Sequence, residues 1–113
     1  MKYIVTGRES SGKSSFVQEA KPLVARKNDI TLVEVKLESI LQHYREGDSI
    51  IYIETPALLC MLRQKKAHLN LNRLEQEDKL LSYVTDLPNC FIIKNDLSPD
   101  EFKVRIKQLV KRL

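Results

Sequence analysis

The chain has 113 residues, 42% apolar and 30% charged, with a formal net charge of +4. That length suits one domain over residues 1–113 around a single core and leaves too little chain for a second. The composition is that of a globular protein, with no apolar run of about 18 residues and no basic segment leading into an apolar leader, so a cytoplasmic protein without a membrane partner is expected.

Tyr3, Ile4 and Val5 predict a short strand that ends at Gly7. Residues 7 to 14 then read G-R-E-S-S-G-K-S, a complete G-x-x-x-x-G-K-[ST] phosphate-binding loop. From Lys13 onward Phe16, Ala20, Leu23 and Val24 recur on one helix face, so strand, loop and helix arrive in the order the motif requires. The helix is expected from about Lys13 to Asn28, kinked or interrupted at Pro22, which has no N–H to donate.

Each loop position has a physical role. Gly7 and Gly12 allow backbone angles closed to other residues and let the main chain approach an anion, with N–H groups curling around phosphate at a helix N-terminus. Lys13 supplies a point charge for the β- and γ-phosphates, and the Ser14 hydroxyl is a Mg²⁺ ligand. Ser10, Ser11 and Ser15 complete the binding segment, while Arg8 and Glu9 occupy permissive positions that either face solvent or reach a second substrate. A nucleoside triphosphate with Mg²⁺ is the expected ligand.

Ile30 to Val35 reads as a second strand, and Leu37, Ile40, Leu41 and Tyr44 as a short amphipathic helix stopped by Gly47. Glu34, Glu38 and His43 follow that strand and are candidates to face an acceptor, in competition with a solvated surface role. Residues 50 to 53, I-I-Y-I, predict a strand buried on both faces, with Glu54 at its carboxyl end. In a parallel sheet that end faces the ligand, so Glu54 is expected beside Ser14, holding a Mg²⁺-bound water or the hydroxyl itself.

Thr55-Pro56 starts a helix reaching the mid-sixties, and A-H-L-N-L-N then weakens the helical period. Asn72 with Glu75 resembles a capping box for a further helix through Leu81 and Val84, and the connection between the two helices carries Arg63, Lys65, Lys66 and Arg73. After a Pro88-Asn89 turn, Cys90 to Ile93 predicts another buried strand. Cys60 and Cys90 both lie in apolar runs and form no ligand pattern with His43 or His68, so neither a disulfide nor zinc is expected. Ser98, Pro99 and Glu101 open a last helix with Lys103, Arg105, Lys107, Lys111 and Arg112 opposite its apolar face. With one aromatic residue in it, that basic stripe is expected to be solvated, and nucleic acid is not an expected partner.

Four apolar strands alternating with helices predict a three-layer α/β/α fold around a four- or five-stranded parallel sheet. At this point the chain resembles a P-loop NTPase, and within that superfamily the nucleoside-monophosphate-kinase and dephospho-coenzyme-A-kinase group. The S-S-G-K-S-S loop, Arg63 and Arg73 as counterparts of lid arginines, and the I-I-K-N-D ending before S-P-D-E-F carry the resemblance. It implies a small ATP-dependent kinase moving the γ-phosphoryl group to a nucleotide or other small acceptor, with Lys13 positioning and neutralising the phosphates and Arg63 or Arg73 stabilising the transferring charge. It also implies adenine rather than guanine, and no N-K-x-D guanine-reading motif is present, Lys94 to Asp96 being the nearest segment.

The chain departs from that group in lacking a fifth recognisable strand and a substrate-binding insertion after the second. Either the acceptor is small, a second copy or partner subunit completes the site, or transfer is not the function. An ATPase or nucleotide-dependent switch is the main alternative, although Thr55 stands where hydrolytic relatives carry a second acid. A non-catalytic nucleotide-binding module is the third.

Overall fold

The chain is described by a computed structural model covering residues 1–27, 29–64, 71–96 and 98–113. Its four strands are β1 (Lys2–Gly7), β2 (Thr31–Glu34), β3 (Ser49–Glu54) and β4 (Cys90–Lys94). All pair in parallel, in the order β2-β1-β3-β4. Its helices are α1 (Lys13–Val24), α2 (Ile40–His43, preceded by a 3-10 turn at Leu37–Ser39), α3 (Ala57–Gln64), α4 (Leu71–Thr85) and α5 (Pro99–Arg112). The fold is α/β, with four parallel strands among the described residues and helices on both faces.

The alternation of side chains along a strand divides the core in two. Tyr3, Val5, Ile51, Ile53 and Ile93 face α1 and α5, where they meet Phe16, Ala20, Val24, Phe102, Ile106, Leu109 and Val110. Ile4, Ile50 and Tyr52 face the other way, against Val35, Leu37, Ile40 and Val84 of the second layer. The central strands β1 and β3 are apolar on both faces because both faces are covered.

Four local readings of the sequence are corrected. The first helix continues through Pro22 and ends at Val24 rather than at Asn28, which lies outside the described residues; the Ala25 N–H closes it on the Lys21 carbonyl. Gly47 does not stop α2, which ends at His43; it sits at φ +92° in the turn closed by Asp48 N–H on the Arg45 carbonyl. Leu71 already belongs to α4, so Asn72 is inside the helix and not its cap. The last strand is at the edge of the sheet among the described residues, and Ile92, expected to be buried, is 50% exposed there. The A-H-L-N-L-N segment with Lys65, Lys66 and His68 falls largely on residues 65–70, outside the described part.

The predicted last helix does begin as read. The Ser98 hydroxyl accepts from the Glu101 N–H, Pro99 opens α5, and Asp100 and Glu101 occupy its first turn. Among the described residues, no helix is long and apolar enough to cross a membrane.

Candidate functional site

Because β1 and β3 are adjacent and the chain leaves them toward opposite edges, their carboxyl ends form the switch point where parallel sheets open a crevice. The glycine-rich loop, residues 7 to 14, fills the β1 side of it. A cleft of about 810 Å³ opens there. Gly7, Glu9, Ser10, Gly12, Lys13, Ser14 and Ser15 line its floor. Arg8 and Ser11 turn away from it.

The loop is wound tightly. Ser11 N–H donates to the Arg8 carbonyl at 3.0 Å, and Ser10 (φ +64°) and Gly12 (φ +108°) both take left-handed backbone angles. A side chain at Gly7 would meet the Ile53 carbonyl at 2.8 Å, so the motif's first glycine is required by the approach of β3. Gly12 is the cap residue of α1, whose first turn carries no acidic side chain, leaving the helix N-terminus facing the cleft without an anionic partner from that turn.

Lys13 folds back over this floor. Its ammonium donates to the Gly7 and Arg8 carbonyls, each at 3.0 Å. Burial holds its pKa below the ordinary 10.5, against the upward pull of Glu34 and Glu9. The next residue, Ser14, donates its hydroxyl to Glu34 at 2.9 Å.

Glu54, expected beside Ser14, lies elsewhere. It lines a separate depression with Arg8, Tyr52, Lys94 and Asp96. The reason is strand alternation: Glu54 shares the face of Ile50 and Tyr52, whereas α1 lies on the other face. Glu34 pairs in register with Val5, whose side chain faces α1, and so projects to the Ser14 side.

Ion pairs join the loop to α4. The Arg8 guanidinium reaches Glu77 and, at 2.7 Å, Asp78. Burial opposes its charge, but the two carboxylates outweigh that and hold its pKa up. Arg73 bridges Glu9 at 2.7 Å and Glu77 at 3.2 Å. Its hydrogen bond keeps the Glu9 carboxyl below the usual carboxylate range. Arg63 donates to the Ser10 carbonyl at 3.1 Å and lines the cleft directly, whereas Arg73 meets the loop through Glu9.

One end of the cleft is bounded by Glu34, Lys36, Leu37 and Glu38, the other by Asn95, Pro99, Phe102 and Lys103. His43, on α2, bonds the Ser39 carbonyl at 3.0 Å and does not line the cleft. Sequence reasoning missed Glu77 and Asp78, which only tertiary packing brings to Arg8. It also missed Thr55 and Asn95 as loop partners. Their position directly after β3 and β4, at the carboxyl edge of the sheet, was the available signal.

No protein-family model matches the chain, and no curated protein matches it.

Proposed function

We propose that the chain is a P-loop nucleotide-binding protein that holds a nucleoside triphosphate with Mg²⁺, and that it acts as a small phosphotransferase. The observation that carries this reading is the floor of the cleft. Among the described residues, the lysine at the start of α1 donates to carbonyls of its own loop, next to left-handed Gly12. An anion with several oxygens would exchange those neutral acceptors for charged ones and meet the N–H groups of the helix start. The close approach of Ile53 and Asn95 to the two glycines leaves backbone, not side chain, facing the ligand.

The Ser14 hydroxyl and Glu34 carboxylate, 2.9 Å apart, are hard oxygen donors of the type Mg²⁺ takes alongside phosphate oxygens. Held by these two residues, the ion would supply positive charge that offsets the charge of the phosphates. Glu34 replaces Glu54 in this role. Lys13 and Arg63 would orient the phosphate chain and stabilise charge on the transferring group. In transfer, an acceptor oxygen bonds to the γ-phosphorus while the bond to the β-phosphate oxygen breaks, releasing the diphosphate; the acceptor's proton leaves to Glu38, at the same end of the cleft, or to water.

At the end of the cleft bounded by Glu34, Lys36, Leu37 and Glu38, the two carboxylates outnumber the cation among the described residues, which favours a hydroxyl-bearing acceptor over one that already carries phosphate. A nucleotide-dependent switch is the second reading, favoured by the ion pairs that tie loop residues Arg8 and Glu9 to α4. The two separate in one assay of Mg²⁺-dependent ADP formation. A rate that rises with one member of an acceptor panel supports transfer, and a rate indifferent to every acceptor supports the switch.

A further inference from the structure

The loop is held from below by two buried polar side chains. Asn95, 6% exposed, follows β4, and its amide nitrogen donates to the Ser11 carbonyl at 2.7 Å. Thr55, 2% exposed, follows β3, and its hydroxyl lies 3.0 Å from the same carbonyl and 3.1 Å from that of Asn95. Its one proton is shared between the two. The Asn95 N–H in turn donates to the Glu54 carbonyl at 2.8 Å, fixing the strand ends to each other.

We propose that Asn95 and Thr55 are positioning residues for phosphate binding, acting through the Ser11–Gly12 peptide; the inference rests on the triphosphate reading above. A trans peptide is planar, with its C=O and N–H directed oppositely. Two donors that draw the Ser11 carbonyl down toward the strand ends therefore aim the Gly12 N–H up, into the cleft that Gly12 lines and Ser11 does not. Released from them, the peptide can turn over and present a carbonyl oxygen to the phosphates, replacing an attractive dipole by a repulsive one.

The same contact explains the second glycine. A side chain at residue 12 would meet the Asn95 amide nitrogen at 2.4 Å and would also have to adopt φ +108°. Asn95 packs against the bare Cα, so glycine and asparagine form one unit across 83 residues of sequence. Arg63, which donates to the Ser10 carbonyl at 3.1 Å and lies 3.5 Å from the Asn95 carbonyl, braces the adjoining peptide.

Thr55 gives the cleaner test, because it does not line the cleft and acts on a ligand there through the loop and Asn95. The experiment titrates tripolyphosphate and adenosine separately into the full chain and into Thr55→Val, Thr55→Ser and Asn95→Leu, with thermal unfolding of each variant recorded. Losing one hydrogen bond to the loop is expected to weaken tripolyphosphate by about fivefold in Thr55→Val and more in Asn95→Leu. Adenosine should stay within about twofold of the unaltered chain, and Thr55→Ser, which keeps the hydroxyl, should bind tripolyphosphate as the unaltered chain does. Unchanged tripolyphosphate affinity in Thr55→Val overturns the proposal, as does an equal loss in Thr55→Ser or a parallel loss of adenosine. If Asn95→Leu does not fold, the threonine pair decides alone. Failure of the unaltered chain to bind tripolyphosphate or ATP overturns the triphosphate reading itself, and this inference with it.

Discussion

At the scale of single residues, Lys13 carries the clearest chemical signature. Its side chain is half-buried, and burial lowers its pKa from the ordinary 10.5. A bound triphosphate would add negative charge beside it and push the value back up. The sign follows: above the lowered value the free lysine is neutral, so binding there takes up a proton, and affinity falls as pH rises through that window. Well below it the lysine is charged in both states and contributes no proton linkage. Calorimetry in two buffers of different ionisation enthalpy, at neutral pH and just under pH 10.5, should find uptake only at the higher pH and none attributable to this site in Lys13→Ala. Uptake that persists unchanged in Lys13→Ala would assign it to another group.

Among elements, ion pairs tie the glycine-rich loop to α4. Arg8 is 11% exposed and satisfied by two carboxylates of α4, while Arg73 holds Glu9 and Glu77 from the helix side. Asp78 is mostly exposed and should contribute little; Glu77 is largely buried and, among the described residues, would be left with Arg73 if Arg8 were removed. Arg8→Ala should therefore cost about 1–2 kcal/mol, between an exposed pair and a fully buried one. Urea unfolding measures that loss, and amide exchange over residues 71–78 should speed up in the same variant. Unaltered stability and exchange would mean that α4 is held by its apolar face alone. Lowering the pH through the depressed Glu9 value should remove the Arg73–Glu9 pair, since that contribution is present only while the carboxylate is ionised.

For the whole molecule, local pattern revealed the order of the elements but not which side chains they bring together. The strand–loop–helix start, the four strands and the Ser98-Pro99 opening of α5 could be read because each depends on periodicity or capping within a few residues. Glu54 was read toward Ser14 because a strand-end acid has no visible face in one dimension; pairing register decides it, and register gives that place to Glu34. Ile92 was read as buried because an edge strand and a central strand look alike until neighbours are counted on both sides. The Arg8 partners and the Asn95 support join residues roughly seventy to eighty-five apart, beyond any local pattern.

The central claim, that the cleft floor is a triphosphate site, is tested most directly by titrating ATP and adenosine, with Mg²⁺, into the unaltered chain and into Lys13→Ala. Removing the Lys13 ammonium should weaken ATP by at least about tenfold, about 1.4 kcal/mol or more, and leave adenosine nearly unchanged. No measurable affinity of the unaltered chain for ATP, or equal losses for ATP and adenosine in Lys13→Ala, would contradict it.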